Sequence, residues 1–247
     1  MDQLKEMMAQ AARFVELQLR LPLLEAQITE QKETVSDRKT ERDWAILEAK
    51  RWESPNFFQQ LFLRVPEKLE KAQDEARSAA AAYETAKREL DTLEHELSVM
   101  RQEHEALAGS RDAFDRTRAE FLRTATPDEQ EQLQQAQIEI FRPVAISCLR
   151  LIRQALNRSH TWMQKNERPR YSGYETRQME FWDYADLHAE QLQTLLPYFP
   201  AGSITLGASM TCPSDYIRSA SMNLAQLDRV NIAVDQSLRV QEQIEKL

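Results

Sequence analysis

Four histidines and two cysteines are the residues of this 247-residue chain best suited to metal binding or nucleophilic chemistry, yet their spacing organises neither. His95, His104, His160 and His188 each lack the Glu three residues earlier that a carboxylate-bridged di-iron bundle uses. The patterns H-E-x-x-H, C-x-x-C and G-x-S-x-G are all missing from the sequence. Cys148 lies on an apolar helical face and reads as a small core residue. Cys212, beside Pro213, would need His160 or His188 as a base, and only their coexistence in one chain links them. Gly202 and Gly207 stand at the spacing of a phosphate loop, but Ala208 occupies the position where such a loop needs lysine. No catalytic residue, metal ligand or cofactor is therefore assigned, and a non-enzyme is expected.

Two other clusters suit recognition rather than catalysis. Trp52, Phe57, Phe58, Leu61 and Phe62 place five large apolar groups within eleven residues, flanked by the cations Arg51, Arg64 and Lys68. Ser54-Pro55 is a helix-start signal, so a short helix would gather these side chains on one broad face. Such a face, if exposed, marks a site for a protein partner or, with its cations, for anionic headgroups. The plainer alternative is that the aromatics close the end of a helical pair or pack on the C-terminal helices. The second cluster runs from Arg142 to Arg170, with seven cations against the single acid Glu167. Trp162 falls within it and Tyr171 follows, a mixture that could stack on bases. The following stretch from Glu175 to Glu190 carries five acids against Arg177, so the expected reading is charge pairing across neighbouring helices. Net charge is −8 and neither half of the chain is basic, so nucleic acid is not an expected partner.

The elements that must position these groups are helical. From Leu69, steps of 3 and 4 pass through Ala72, Ala76, Ala79, Tyr83, Ala86, Leu90, Leu93, Leu97, Met100 and His104 to Leu107. This is the period-3.5 seam of a coiled coil, with His104 as a polar register position. Its helix should start near Pro66 and end at Gly109. A second seam precedes it: Leu17, Leu21, Leu24 and Ile28, then Val35, Ala45, Ala49 and Trp52, weakened between by Arg38 and Arg42. Pro22 is expected to start or kink a helix, setting apart an amphipathic stretch around Leu4, Met8, Ala11 and Val15. The short connector between the seams predicts that they fold back antiparallel, with a tip at about residues 53–66. Residues 1–109 thus form an N-terminal amphipathic helix and a coiled-coil hairpin.

Residues 110–247 read as a helical bundle. Ser110 opens one helix, and Thr126-Pro127-Asp128-Glu129 opens another with a capping hydroxyl, a proline at the first helical position and acids suited to the dipole. That helix should kink at Pro143 and stop before Asn166. Residues 197–215 form an irregular loop in which Ile204, Thr205 and Leu206 are expected to run extended across the core. A last helix from Ser214 carries Ile217, Leu224, Leu227, Val234, Leu238 and Ile244.

Composition agrees. Ala, Glu, Lys, Leu and Arg supply 115 of 247 residues, while glycine supplies 4. Folds that depend on glycine turns and β-branched strands are thereby set aside. Two cysteines cannot build a disulfide framework, no run of about 18 apolar residues is present, and MDQLKEMMAQAARF has no secretory pattern. The expected protein is all-α and cytoplasmic, a long antiparallel coiled-coil helical hairpin joined to a helical bundle. Its expected function is that of a non-enzymatic scaffold or adaptor, binding a protein partner through Trp52, Phe57, Phe58, Leu61 and Phe62. A peripheral membrane scaffold, using the same tip with Arg51, Arg64 and Lys68, is the alternative. An enzyme with its site in the C-terminal bundle is the least favoured reading. Self-association through the 69–107 seam competes with the hairpin.

Overall fold

Strong helix formers with few glycines let each backbone group find its partner within its own segment. The computed structural model describes residues 2–54, 65–165, 173–206 and 224–247, and among them the regular structure is helical, with no strand. The helices are α1 (Asp2–Glu53), α2 (Val65–Ala106), α3 (Ser110–Thr124), α4 (Pro127–Lys165), α5 (Gly173–Leu195) and α6 (Leu224–Glu245), with a 3-10 turn at Leu196–Tyr198. Side chains within 159–165, 173–183 and 224–230 lie outside the description. Pro22 does not start a new helix: α1 continues through it. A proline inside a helix removes one hydrogen bond. Leu19 and Leu24, on either side of it, are buried. Pro143 likewise lies inside α4, on its exposed side.

The chain divides into two compact units, Arg20–Ala106 and Met1–Leu19 with Leu107–Leu247. In the first, burial follows the heptads. Leu69, Ala72, Ala76, Ala79, Tyr83, Ala86, Leu90, Leu93, Leu97, Met100 and His104 are all buried or half-buried, while most intervening residues are exposed. On α1 the same holds for Leu24, Ile28, Val35, Ala45, Ala49 and Trp52. Side chains of the two helices meet at several points. Arg20 pairs with Glu96 at 3.3 Å, Arg101 with Glu25 at 2.7 Å, and Lys32 with Glu94 at 2.9 Å. Gln31 Nε2 donates to Ala86 O at 2.9 Å and to Glu89 Oε2 at 3.0 Å. The Arg42 guanidinium lies 4.3 Å from the centroid of the Tyr83 ring.

The second unit has the larger core. Leu4, Met8, Ala11, Val15 and Leu19 recur at helical spacing along the start of α1 and are buried with Phe141, Cys148, Leu149, Ile152 and Leu156 of α4. Ala185, Ala189, Leu192 and Leu195 of α5 and Ala233, Val240 and Ile244 of α6 complete it. Residues 1–19, which the sequence pattern groups with the hairpin in 1–109, thus belong to the unit containing 107–247. Their apolar stripe finds cover there. Helix α4 packs against α5 and α6. It starts as its sequence specifies: Glu129 Oε2 accepts from the Thr126 backbone N–H at 2.8 Å, and the Glu129 N–H reaches Thr126 Oγ1 at 3.4 Å. These reciprocal bonds form a capping box, and they hold the Glu129 carboxyl below its ordinary range. Ile204 and Leu206 pack half-buried on the core, and the Thr205 N–H donates to Gln243 Oε1 at 3.2 Å.

Candidate functional site

The recognition site expected from sequence lies where α1 ends and α2 begins. Trp52 is half-buried and held from two sides. Its indole Nε1–H donates to Glu48 Oε1 at 2.9 Å, one helical turn back. Lys68 Nζ stands 5.0 Å from the ring of Trp52, a cation–π contact from α2 to α1. Arg51 approaches Glu48 at 3.7 Å, so Glu48 bridges an indole and a guanidinium. Phe57, Phe58, Leu61, Phe62 and Arg64 lie outside the described residues. Of the expected contact residues, Trp52, Arg51 and Lys68 are therefore placed, and they engage one another through Glu48 and the indole.

Beside Trp52 is a feature that heptad reading passes over. Trp44 is 69 % exposed and Leu47 is 58 % exposed, although both are large and apolar. Thr40, Trp44, Leu47 and Arg51 recur at steps of 4, 3 and 4, which places them on one helical face. The seam residues Arg42, Ala45 and Ala49 recur at a different phase and are buried or half-buried. The signal that finds this patch is phase: two large apolar residues stand off the seam, where solvating residues belong.

The larger unit contains the other candidates. His188 is fully buried and neither ring nitrogen has a hydrogen-bond partner among the described residues. Burial pushes its imidazole down to about 4, so it is neutral at ordinary pH. Cys148 is buried and its thiol is pushed up to about 12 by loss of solvation, which keeps the thiolate inaccessible. Cys212 and the side chain of His160, the remaining members of the possible thiol site, are outside the description. Within the basic stretch, Arg153 turns to α6, bonding Ser237 Oγ at 3.4 Å and also Gln241 Oε1. The acids expected to pair with this stretch lie at 175–190, of which the side chains of 175–183 are outside the description. Arg150 and Arg158 are exposed.

The 3-10 turn supplies a polar cluster that sequence reading does not single out. Tyr198 is buried, with its ring stacked on Phe141 at 4.0 Å between centroids and tilted against Phe114 at 5.7 Å. Its hydroxyl donates to Asp115 Oδ1 at 2.8 Å and accepts from Arg111 Nε at 3.3 Å. Arg111 also donates to Thr194 O at 2.9 Å, and Arg118 to Pro197 O at 2.9 Å. Burial raises the phenol to about 12, so it remains a hydrogen-bond donor. Arg111 and Asp115 also line a cleft of about 270 Å³ with Phe14, Gln18, Gly109 and Asp112. Because its arginine and one of its two carboxylates are joined to Tyr198, the cluster ties α3 to the 3-10 turn and offers no free acid–base pair. Among the described residues no group of three His, Cys, Asp or Glu side chains is placed to hold a metal ion, and no helix is long and apolar enough to cross a membrane. No protein-family model matches the chain, and no curated protein or solved structure matches it.

Proposed function

We propose that the protein is a non-enzymatic scaffold that binds other proteins through the end of an antiparallel coiled-coil hairpin made by α1 and α2. The order of the cross-helix contacts supports the hairpin. As the α1 partner advances through Glu25, Arg42 and Trp52, the α2 partner falls back through Arg101, Tyr83 and Lys68. Half-buried seam residues on both helices fit the same reading.

The observation that carries the binding role is the exposed pair Trp44 and Leu47, two turns from Trp52. An exposed tryptophan beside a leucine forgoes burial that would stabilise the chain by roughly 1.5–3 kcal/mol per side chain. Tryptophan also dominates the energetics of many protein interfaces. Phe57, Phe58, Leu61 and Phe62 would extend the same apolar surface, with Arg51, Arg64 and Lys68 setting orientation. The partner is a protein surface, including a second copy of this chain as one option.

The test is in-cell crosslinking from a photoreactive residue at Asp37, on the same face as Trp44, with adducts identified by mass spectrometry. One dominant protein adduct that disappears in Trp44→Ser/Leu47→Ser, with thermal stability unchanged, is the expected result. Adducts unaffected by that double substitution sink the proposal. Co-sedimentation of the purified protein with anionic vesicles, lost in the same variant, replaces it with the membrane-scaffold reading.

A further inference from the structure

Helix α1 carries a second period-3.5 stripe besides its seam. Glu30, Glu33, Asp37, Thr40, Trp44 and Leu47 follow steps of 3, 4, 3, 4 and 3, and all are exposed. At 3.6 residues per turn this stripe lies about half a turn from the seam residues Gln31, Val35, Arg42 and Ala49, which are buried or half-buried. Its chemistry is divided along its length. One end is apolar, with Trp44 and Leu47, and the other presents the carboxylates of Glu30, Glu33 and Asp37. Arg51 continues the stripe beyond Leu47, about 21 Å from Asp37 along the axis at 1.5 Å per residue. That exceeds the screening length of about 8 Å in physiological salt, so Arg51 does not offset the acids. Nearby cations turn elsewhere: Lys32 pairs with Glu94 at 2.9 Å and Arg38 with Glu41 at 2.6 Å.

The sign of this charge selects the occupant. Three carboxylates in line with the apolar pair repel the anionic headgroups of a membrane. Full overlap with the same stripe of a second copy is also unfavourable. A parallel pairing sets the carboxylates on themselves, and an antiparallel one lays Glu33 over Trp44 and Glu30 over Leu47. What fits is a cationic segment with large apolar residues of its own. Contact sustained at a 3.5-residue period over this length suits a second helix, whose side chains recur with the same step.

We propose that this stripe of α1 docks a basic amphipathic helix of another protein. Large apolar residues of that helix cover Trp44 and Leu47, and its lysines or arginines, one to two heptads further along, meet Asp37, Glu33 and Glu30. The docking rests on the protein-binding role of Trp44 and Leu47 given above, to which it adds the charge and conformation of the partner segment.

The test places a photoreactive residue at Thr40, between the two halves of the stripe, in the full chain within its native cells. Adducts are digested after irradiation, and the captured segment is identified by mass spectrometry. The expected segment belongs to another protein, has apolar residues at steps of 3 and 4, and carries more Lys and Arg than Asp and Glu. Its yield is expected to vanish in Trp44→Ser/Leu47→Ser. In Glu30→Gln/Glu33→Gln/Asp37→Asn it is expected to fall at least about threefold, since three exposed ion pairs are lost. Both variants replace exposed side chains, so their melting temperatures are expected to match that of the unaltered chain. The control Glu70→Gln/Glu84→Gln/Asp91→Asn removes three exposed carboxylates of α2 and is expected to leave the yield in place. The basic-helix partner is overturned, with the binding role left standing, by a Trp44-dependent adduct on a neutral or acidic segment or on a second copy of this chain. A yield that survives neutralisation of the stripe, or falls equally in the α2 control, overturns it too. Absence of any adduct that depends on Trp44 and Leu47, or Trp44-dependent recruitment to phosphatidylserine vesicles in its place, overturns the binding role itself and the helix with it.

Discussion

His188 pays for its place in the core with its charge. Its folded-state value of about 4 lies below the ordinary 6.5, so the unfolded chain binds the extra proton between those values. Stability is therefore fully present above about pH 6.5 and falls as pH drops through 4, by about 3 kcal/mol in total. Urea titrations at pH 7 and pH 4.5 check this, with His188→Leu expected to flatten the dependence. An equal loss in that variant would assign the acid sensitivity to other groups. Tyr198 makes a different bargain, since its ring packs on Phe141 and Phe114 while its hydroxyl serves Asp115 and Arg111. Tyr198→Phe keeps the packing and is expected to cost about 1 kcal/mol, the net value of such a hydrogen bond. Tyr198→Ala opens a cavity and is expected to cost about 3–5 kcal/mol. Comparable losses from both would place the energy in the hydroxyl network. The role of Tyr198 is not legible in the sequence, because its partners Phe141, Phe114, Asp115 and Arg111 lie more than 40 residues away.

At the scale of elements, local signals are legible in the sequence and long-range cover is not. The start of α4 follows from Thr126-Pro127-Asp128-Glu129, since a capping box involves only four consecutive residues. The seam of α2 is legible for a similar reason, because its period of 3.5 repeats over more than five heptads. Pro22, which by its type starts or kinks a helix, starts none here, since α1 runs through it. Between α2 and α3, Gly109 adopts φ +80°, and a β-carbon added to it would meet nothing within 4 Å. The cost of Gly109→Ala is then purely conformational, about 1–2 kcal/mol for an L-residue in the left-handed region. A thermal melt measures it, and a neutral substitution would mean that the turn relaxes to another conformation.

At the scale of the whole molecule, the two units differ in how much they bury. The unit built on α4 encloses long side chains completely, among them Met8, Phe114, Phe141, Leu149 and Ile152. The Arg20–Ala106 unit buries fewer groups, the alanines Ala49, Ala72 and Ala86 and the longer Leu24, Ile28 and Met100. Apolar area sets the free energy of opening, so amides of residues 133–156 are expected to exchange more slowly than those of residues 72–97. Hydrogen-exchange mass spectrometry on the intact chain resolves this. The reverse order would mean that the seam is strengthened by an intermolecular contact.

Helix type, the two heptad seams, the α4 capping box and the exclusion of known metal and nucleophile motifs are properties of the sequence itself. They depend on residues within one or a few turns of each other, where chemical type is enough to predict conformation. Only the tertiary structure decided that residues 1–19 join the larger core, that Gln31 and Arg42 serve as seam contacts, and that Trp44 and Leu47 remain exposed. Each of these depends on which apolar face finds cover. A helix records its own amphipathicity, but its partner is chosen by the rest of the chain.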